Sequence, residues 1–211
     1  MPLTLAKNLV KTQMVNVRKL VVDALCRVEE DGAYSNLVLN EAFLKFDLTE
    51  RDKSFASALF YGVLDRKITI DFYLGKLSKV KVKKMQPITK AALRLGVFQI
   101  AFMNKIPVSA AVNESVNIVK KSKENRNFGF VNGVLRAASR SLPQLPTEDT
   151  SSSLSVRYSC EESIVNELIK DYGDKTNEIL SSFLKTCSKS SNKCSESKRA
   201  VASFSSIEAN K

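Results

Sequence analysis

The chain contains no histidine and no tryptophan. Without histidine, a Ser–His triad, a Cys–His dyad and the mixed Cys/His zinc sets are excluded. The four cysteines stand at positions 26, 160, 187 and 194. They lack the paired spacing of a metal site or a disulfide framework, so no metal is expected and a reducing compartment is favoured. Only 7 glycines and 5 prolines occur in 211 residues. That is few for a turn-rich sheet protein and favours long helices. No apolar run approaches the ~20 residues needed to cross a bilayer, so no membrane partner is expected. One absence is local: between Asp71 and Glu114 there is no acidic residue, but there are seven lysines and one arginine.

What is present is positive charge, unevenly placed. The net charge is +11. Residues 1–140 hold 24 Lys/Arg against 12 Asp/Glu, and residues 141–211 hold 9 against 10. The excess therefore belongs to the first two thirds, which points to a polyanion partner, most simply RNA. The competing reading of a basic chain is general solubility.

The stretch Ala91 to Phe102 is apolar on every face apart from Arg94 and Gln99. A helix without a polar face is a buried helix, so this segment is the expected central strut. Pro87 opens it at a position where proline is tolerated. Gly96 in its middle, Gly133 further on and Tyr61-Gly62 are expected to mark close helix crossings, because a mid-helix glycine otherwise costs roughly 1 kcal/mol.

Before the strut, a helix is expected over residues 16–31, capped by Asn16 and stopped at Gly32. A second is expected from a Ser35 cap to about Phe46. Thr49 to Asp52 resembles a capping box opening a third, with Phe55, Ala58, Leu59, Val63 and Leu64 inward. A fourth runs from Ile68 to about Leu77. After the strut, Pro107 and Ser109 open another helix, and the last helix of the bundle runs to about Ser141.

Candidate RNA contacts follow the charge. Arg18 and Lys19 sit at a helix start, where the macrodipole disfavours cations, which suits them to an external anion. Ordinary solvated charge is the alternative. Lys79, Lys81, Lys83 and Lys84 lie in a basic connector, which would supply phosphate contacts or be a solvated loop. Lys120, Lys121, Lys123 and Arg126 form a second basic run ahead of Asn127. Phe130 or Phe128 would stack on an unpaired base, or else pack in the core.

The motifs Asn16-Val17-Arg18, Tyr34-Ser35-Asn36, Tyr61-Gly62-Val63-Leu64, Leu93-Arg94-Leu95-Gly96, Asn113-Glu114-Ser115-Val116 and Phe130-Val131-Asn132-Gly133-Val134-Leu135-Arg136 resemble, in order and spacing, the NusB-type all-helical RNA-binding domain. Gly32-Ala33-Tyr34-Ser35-Asn36, and Leu154 to Ser159 followed by Tyr172-Gly173, bring the resemblance closest to the amino-terminal domain of RsmB/Sun-type small-subunit rRNA cytosine-C5 methyltransferases. The resemblance implies an all-α bundle of about seven helices. It places RNA contacts on Arg18 and Lys19 and near Arg126, Asn127 and Phe130. It implies RNA, chiefly rRNA, as partner, with a ribosomal protein as a further one.

The organisation expected is an N-terminal extension at 1–15, the bundle at 16–141, a linker at 142–160, the start of a truncated methyltransferase region at 161–185 and a disordered, serine-rich tail at 186–211. The two short helices beyond the linker are expected to bury no core of their own. The extension reads as a presequence or as residues upstream of a start at Met14, giving an organellar or a cytoplasmic location. Neither Cys187 nor Cys194 has the Pro-Cys setting of the family's catalytic cysteines, and the Thr186-Cys187 pair stands outside the catalytic domain that the resemblance implies this chain lacks. No catalysis and no cofactor are therefore expected of this chain, S-adenosylmethionine belonging to the missing domain. Three functions stand open: an rRNA-docking domain, an antitermination-like factor working with a ribosomal protein, and a helical protein–protein adaptor.

Overall fold

The computed structural model describes residues 15–187. Among these the secondary structure is entirely helical, with ten α-helices joined by turns and short 3-10 segments. The expectations for residues 1–14 and for the tail from 188 onward, Cys194 included, lie outside the described residues.

Helix α1 (Val17–Glu30) begins at Asn16, whose side chain accepts the Lys19 N–H, and it gives way at Gly32, which adopts φ +62°. Helix α2 (Ser35–Lys45) packs on α1. Its chain enters through Tyr34 with no side-chain cap, so Ser35 is the first helical residue rather than the capping group expected. Helix α3 (Glu50–Asp65) opens with Thr49 accepting the Asp52 N–H, which is the first half of a capping box, while the Asp52 carboxylate accepts the Thr49 hydroxyl in place of its backbone N–H. Its buried stripe is Ala56, Leu59, Phe60 and Val63. Phe55, Ala58 and Leu64 are only half-buried, so the inward face is rotated from the one expected.

Helix α4 (Lys67–Leu77) leads into the basic connector, which ends in a 3-10 turn at Val82–Lys84. Helix α5 (Pro87–Phe102) is the strut: Thr89 and every residue from Ala91 to Gln99 are buried, and α1, α3, α4, α6 (Val108–Lys120) and α7 (Phe128–Arg140) all pack against it. Its two polar residues have partners. The Arg94 guanidinium, 8% exposed, forks onto Asp71 at 2.7 and 2.8 Å and reaches Glu29 at 2.7 Å. Gln99 donates to the Leu95 carbonyl and accepts from Arg18. Because both are satisfied, this polar pair does not oppose burial.

Two of the three glycine expectations hold. A Cβ on Gly96 would lie 2.7 Å from both Leu135 methyls, and one on Gly62 would lie 2.1 Å from Cζ of Phe98. Gly133 is different: nothing lies within 4 Å of its missing Cβ, and it faces solvent. It marks no helix crossing.

Beyond α7 the chain departs from the reading of residues 142–160 as linker throughout. Helix α8 (Ser151–Tyr158) lies inside that stretch, capped by Thr150. Helices α9 (Glu162–Tyr172) and α10 (Thr176–Cys187) follow, divided by a 3-10 turn at Gly173–Lys175 as the Tyr172-Gly173 break suggests. These three helices do bury a small core of their own, made of Leu154, Cys160, Val165, Leu168 and Leu180. The extra helix supplies the third side that two helices lack.

Candidate nucleic-acid interface

The first turn of α5 organises the basic surface. Its free backbone N–H groups carry the positive end of the helix dipole and attract an anion. The protein provides one internally. Glu124, 6% exposed, accepts the Ile88 N–H at 3.0 Å, and its second carboxylate oxygen accepts the Thr89 N–H and the Thr89 hydroxyl, each at 2.7 Å. Asn127 adds a second clamp, donating to the Gln86 side chain and to the Thr89 hydroxyl, each at 3.0 Å.

These contacts fold the turn after α6 onto the residues that follow the lysine connector. Gln86 and Asn127 are 41 positions apart in the chain and hydrogen-bonded in space. Two basic runs that are remote in sequence thus converge on one end of the bundle. Lys79, Lys81, Lys83, Lys84, Lys120, Lys121, Lys123 and Arg126 are all exposed. None forms an ion pair with a described carboxylate, and the one acid among them, Glu124, is turned inward. Eight unneutralised cations around a shared edge produce a local positive potential that screening by opposite charge does not cancel.

An aromatic group stands beside them. Phe128, the first residue of α7, is 44% exposed, with the Lys120 ammonium 5.7 Å from its ring centre. Phe130 is half-buried and packs against the main core. Of the two phenylalanines weighed for base stacking, the accessible ring is Phe128, whereas the family resemblance points to Phe130.

Arg18 and Lys19 lie elsewhere. Arg18 donates from Nε to Gln99 at 2.7 Å, and its guanidinium sits 5.1 Å over the Phe55 ring. Gln99 is ten residues beyond Thr89, or about 15 Å along the helix axis at 1.5 Å per residue. Burial pushes the Arg18 guanidinium below its usual pKa, an effect that nearby Glu114 opposes. Lys19 pairs with Asp23 one turn on, both exposed. At the same end, Asn16 donates to Glu114 at 3.2 Å, so Glu114 tethers the start of α1.

The eleven residues singled out from the sequence thus divide. Lys79, Lys81, Lys83, Lys84, Lys121, Lys123 and Arg126 share one surface, Asn127 is the clamp that assembles it, Phe130 supports it from the core, and Arg18 and Lys19 are remote. Sequence reasoning misses the part played by Glu124. Its one signal is being the sole acid inside a run of cations. Among the described residues no group of Cys, Asp and Glu side chains is arranged to hold a metal, and no helix is long and apolar enough to cross a membrane.

Known proteins share this architecture. The family model described as the NusB family matches residues 15–140. A probable ribosomal RNA small subunit methyltransferase B from Bacillus subtilis strain 168 is 33% identical over 159 residues, 75% of this chain and 35% of the relative. The transcription antitermination protein NusB of Dehalococcoides mccartyi strain 195 is 27% identical over 132 residues, 62% of this chain and 92% of the relative. Among solved structures, the crystal structure of PH0851 aligns with a TM-score of 0.65 at 17% identity, covering 82% of this chain and 40% of that one. The complex of antitermination factors NusB and NusE with double-stranded RNA aligns at 0.55 and 22% identity, covering 59% of this chain and 93% of that one. The chain spans about a third of the length of the Bacillus methyltransferase it matches.

Proposed function

The chain belongs to the NusB family, and we propose that it is an RNA-binding domain that docks an rRNA cytosine methyltransferase onto its substrate. The observation that carries the RNA reading is the convergence of eight unpaired cations and an exposed phenylalanine at the start of α5. Phosphate contacts from lysines fix register without reading sequence. A ring at the edge of such a patch adds stacking on an unpaired base, worth ~1–3 kcal/mol per base in single-strand binders. RNA with single-stranded segments is therefore the expected ligand, bound in the cytoplasm.

The methyltransferase context is favoured over an antitermination factor by the extent of similarity. An alignment of 159 residues cannot fit within residues 1–140, so it runs past α7 into the additional helices. The match to the NusB antitermination protein spans 132 residues and takes in nearly all of that relative. On this reading, cofactor chemistry belongs to a separate methyltransferase module.

Fluorescence anisotropy with labelled small-subunit rRNA segments, titrated across a salt series, tests this. Four single-strand phosphate contacts give a log–log slope of about −3. A flat slope or absent binding would leave the adaptor reading in place. Binding that needs an added NusE-type ribosomal protein would favour the antitermination reading.

A further inference from the structure

The three C-terminal helices have an apolar core separate from that of the bundle, so their orientation is not set by a shared apolar core. They meet the bundle mainly where α8 packs on α4. The contact there is reciprocal. Helix α4 begins at Arg66 with no side-chain cap of its own. Its Ile68 N–H is accepted instead by the Ser159 hydroxyl at 3.1 Å, from 91 residues away. In return, Thr69 donates its hydroxyl to the Val156 carbonyl at 2.6 Å. Val156 lies in the last turn of α8, where carbonyls have no helical partner. Each helix end thus satisfies the other's orphan group, with the positive end of α4 against the negative end of α8.

Two features show how firmly the joint is specified. Ser159 is the one non-glycine residue of positive φ among the described residues, at φ +50° and ψ +44°. A side chain adopts that conformation at a cost, which the surrounding contacts must offset. Ser159 and Thr69 are also buried, at 6% and 1% exposure. The preceding segment is fastened as well. Leu142 and Leu145 pack on the main core. Arg157 reaches back to the Pro146 carbonyl at 3.3 Å, the Glu148 carbonyl at 2.7 Å and the Asp149 carboxylate at 3.1 Å.

We infer that residues 142–160 form a rigid joint, closed by the Ser159–Ile68 and Thr69–Val156 contacts, that holds α8–α10 in a single orientation on the bundle. Ser159 and Thr69 are positioning residues. On the proposed RNA-docking role, on which this functional meaning rests, the joint converts RNA bound at the start of α5 into a defined angle for whatever follows α10. A tether would give proximity alone. A fixed joint gives orientation, which a module acting on one base of a bound RNA needs.

Residual dipolar couplings of backbone amides in the full chain test the joint. One alignment tensor should fit α1–α7 and α8–α10 together in the unaltered protein. Ser159→Gly with Thr69→Val removes both hydroxyls, and glycine relaxes the backbone. The two tensors should then separate, with that of the three-helix unit reduced. Ser159→Asn keeps an acceptor and tolerates positive φ, and should retain one tensor. Two tensors in the unaltered protein or in Ser159→Asn, or a single tensor in the double variant, would overturn the joint. Collapse of α9 and α10 amide dispersion in the double variant would also overturn it, since the contacts would then serve folding rather than orientation. The same samples titrated with an rRNA oligonucleotide separate the two ideas. One tensor without RNA-induced shifts defeats the docking role and leaves the joint, whereas two tensors with intact shifts defeat only the joint.

Discussion

Replacing Gly62 and Gly133 by alanine, one at a time, makes chemically identical changes with opposite expected signs. At Gly133 the new methyl meets nothing within 4 Å. The helix gains the ~0.5–1 kcal/mol that alanine holds over glycine. At Gly62 the methyl would sit 2.1 Å from Cζ of Phe98 and 2.7 Å from both Cε atoms. Carbon atoms rest at ~3.5–4.0 Å, so the ring must withdraw by roughly 1.4 Å. It has little room, since Phe98 is 8% exposed on the most buried helix and its ring leans on Phe102 at 5.7 Å. Overpacking of this kind costs ~1–3 kcal/mol. After the propensity gain, Gly62→Ala should lose about 1 kcal/mol, and because both variants share that gain they should differ by the overpacking cost itself, ~1–3 kcal/mol. At ~2–4 °C per kcal/mol for a chain of this size, their thermal midpoints should lie ~2–12 °C apart. Circular dichroism melts and urea titrations measure this directly. Phe98→Leu should suppress the Gly62→Ala defect, giving a coupling of ~0.5–3 kcal/mol in the double-mutant cycle. Coincident melts for the two alanine variants, or additive effects in the cycle, would refute the packing argument.

Four further outcomes follow from the structure. Changing Lys79, Lys81, Lys83 and Lys84 to glutamine should flatten the salt dependence of RNA affinity by about 0.7 of a slope unit for each single-strand phosphate no longer neutralised, with the melting midpoint unchanged; an unaltered slope would place the RNA elsewhere. Arg18→Ala should lower stability by ~1–2 kcal/mol by removing its bond to buried Gln99, and lower RNA affinity less than the lysine set does; the reverse ranking in melts and titrations would restore Arg18 as the main contact. Arg94→Met should cost about 3 kcal/mol, because it strands Asp71 and leaves Glu29 with Lys90 alone. Burial raises the Glu29 pKa, but Arg94 and Lys90 draw it below the ordinary carboxylate value. That contribution is present at neutral pH and is lost as pH falls through the depressed value, so urea titrations should show the gap between Arg94→Met and the unaltered protein narrowing in acid. Burial, with neighbouring acids, pushes the Cys26 thiol up to about 12. Mass spectrometry after an aromatic disulfide reagent at pH 8 should therefore find Cys26 unmodified in the folded protein and modified in urea.

The strut is legible in the sequence because its signal is local: twelve residues that leave no polar face from Ala91 to Phe102 admit only burial. Gly62 and Gly96 are readable for the same reason, as helical glycines next to bulky apolar neighbours. Gly133 looks identical and is not, since only the packing partner distinguishes a crossing from an open position. Helix α8 is hidden by Pro143, Pro146 and the serine run, whose turn signals outweigh one short helix with a single buried leucine. Of the candidate interface, the cations themselves are evident. Their convergence is not, because it depends on Glu124 and Asn127 closing over an α5 terminus some 35 to 41 residues earlier. The seating of Arg18 on Gln99, 81 residues away, is equally out of reach of any local pattern.

Mapping amide chemical shifts during titration with a small-subunit rRNA segment tests the central claim most directly. The account predicts that the perturbed amides cluster at residues 79–84 and 120–128, with α2 and α9 silent. Shifts centred on α2 or α9, with those two basic runs unmoved, would contradict it.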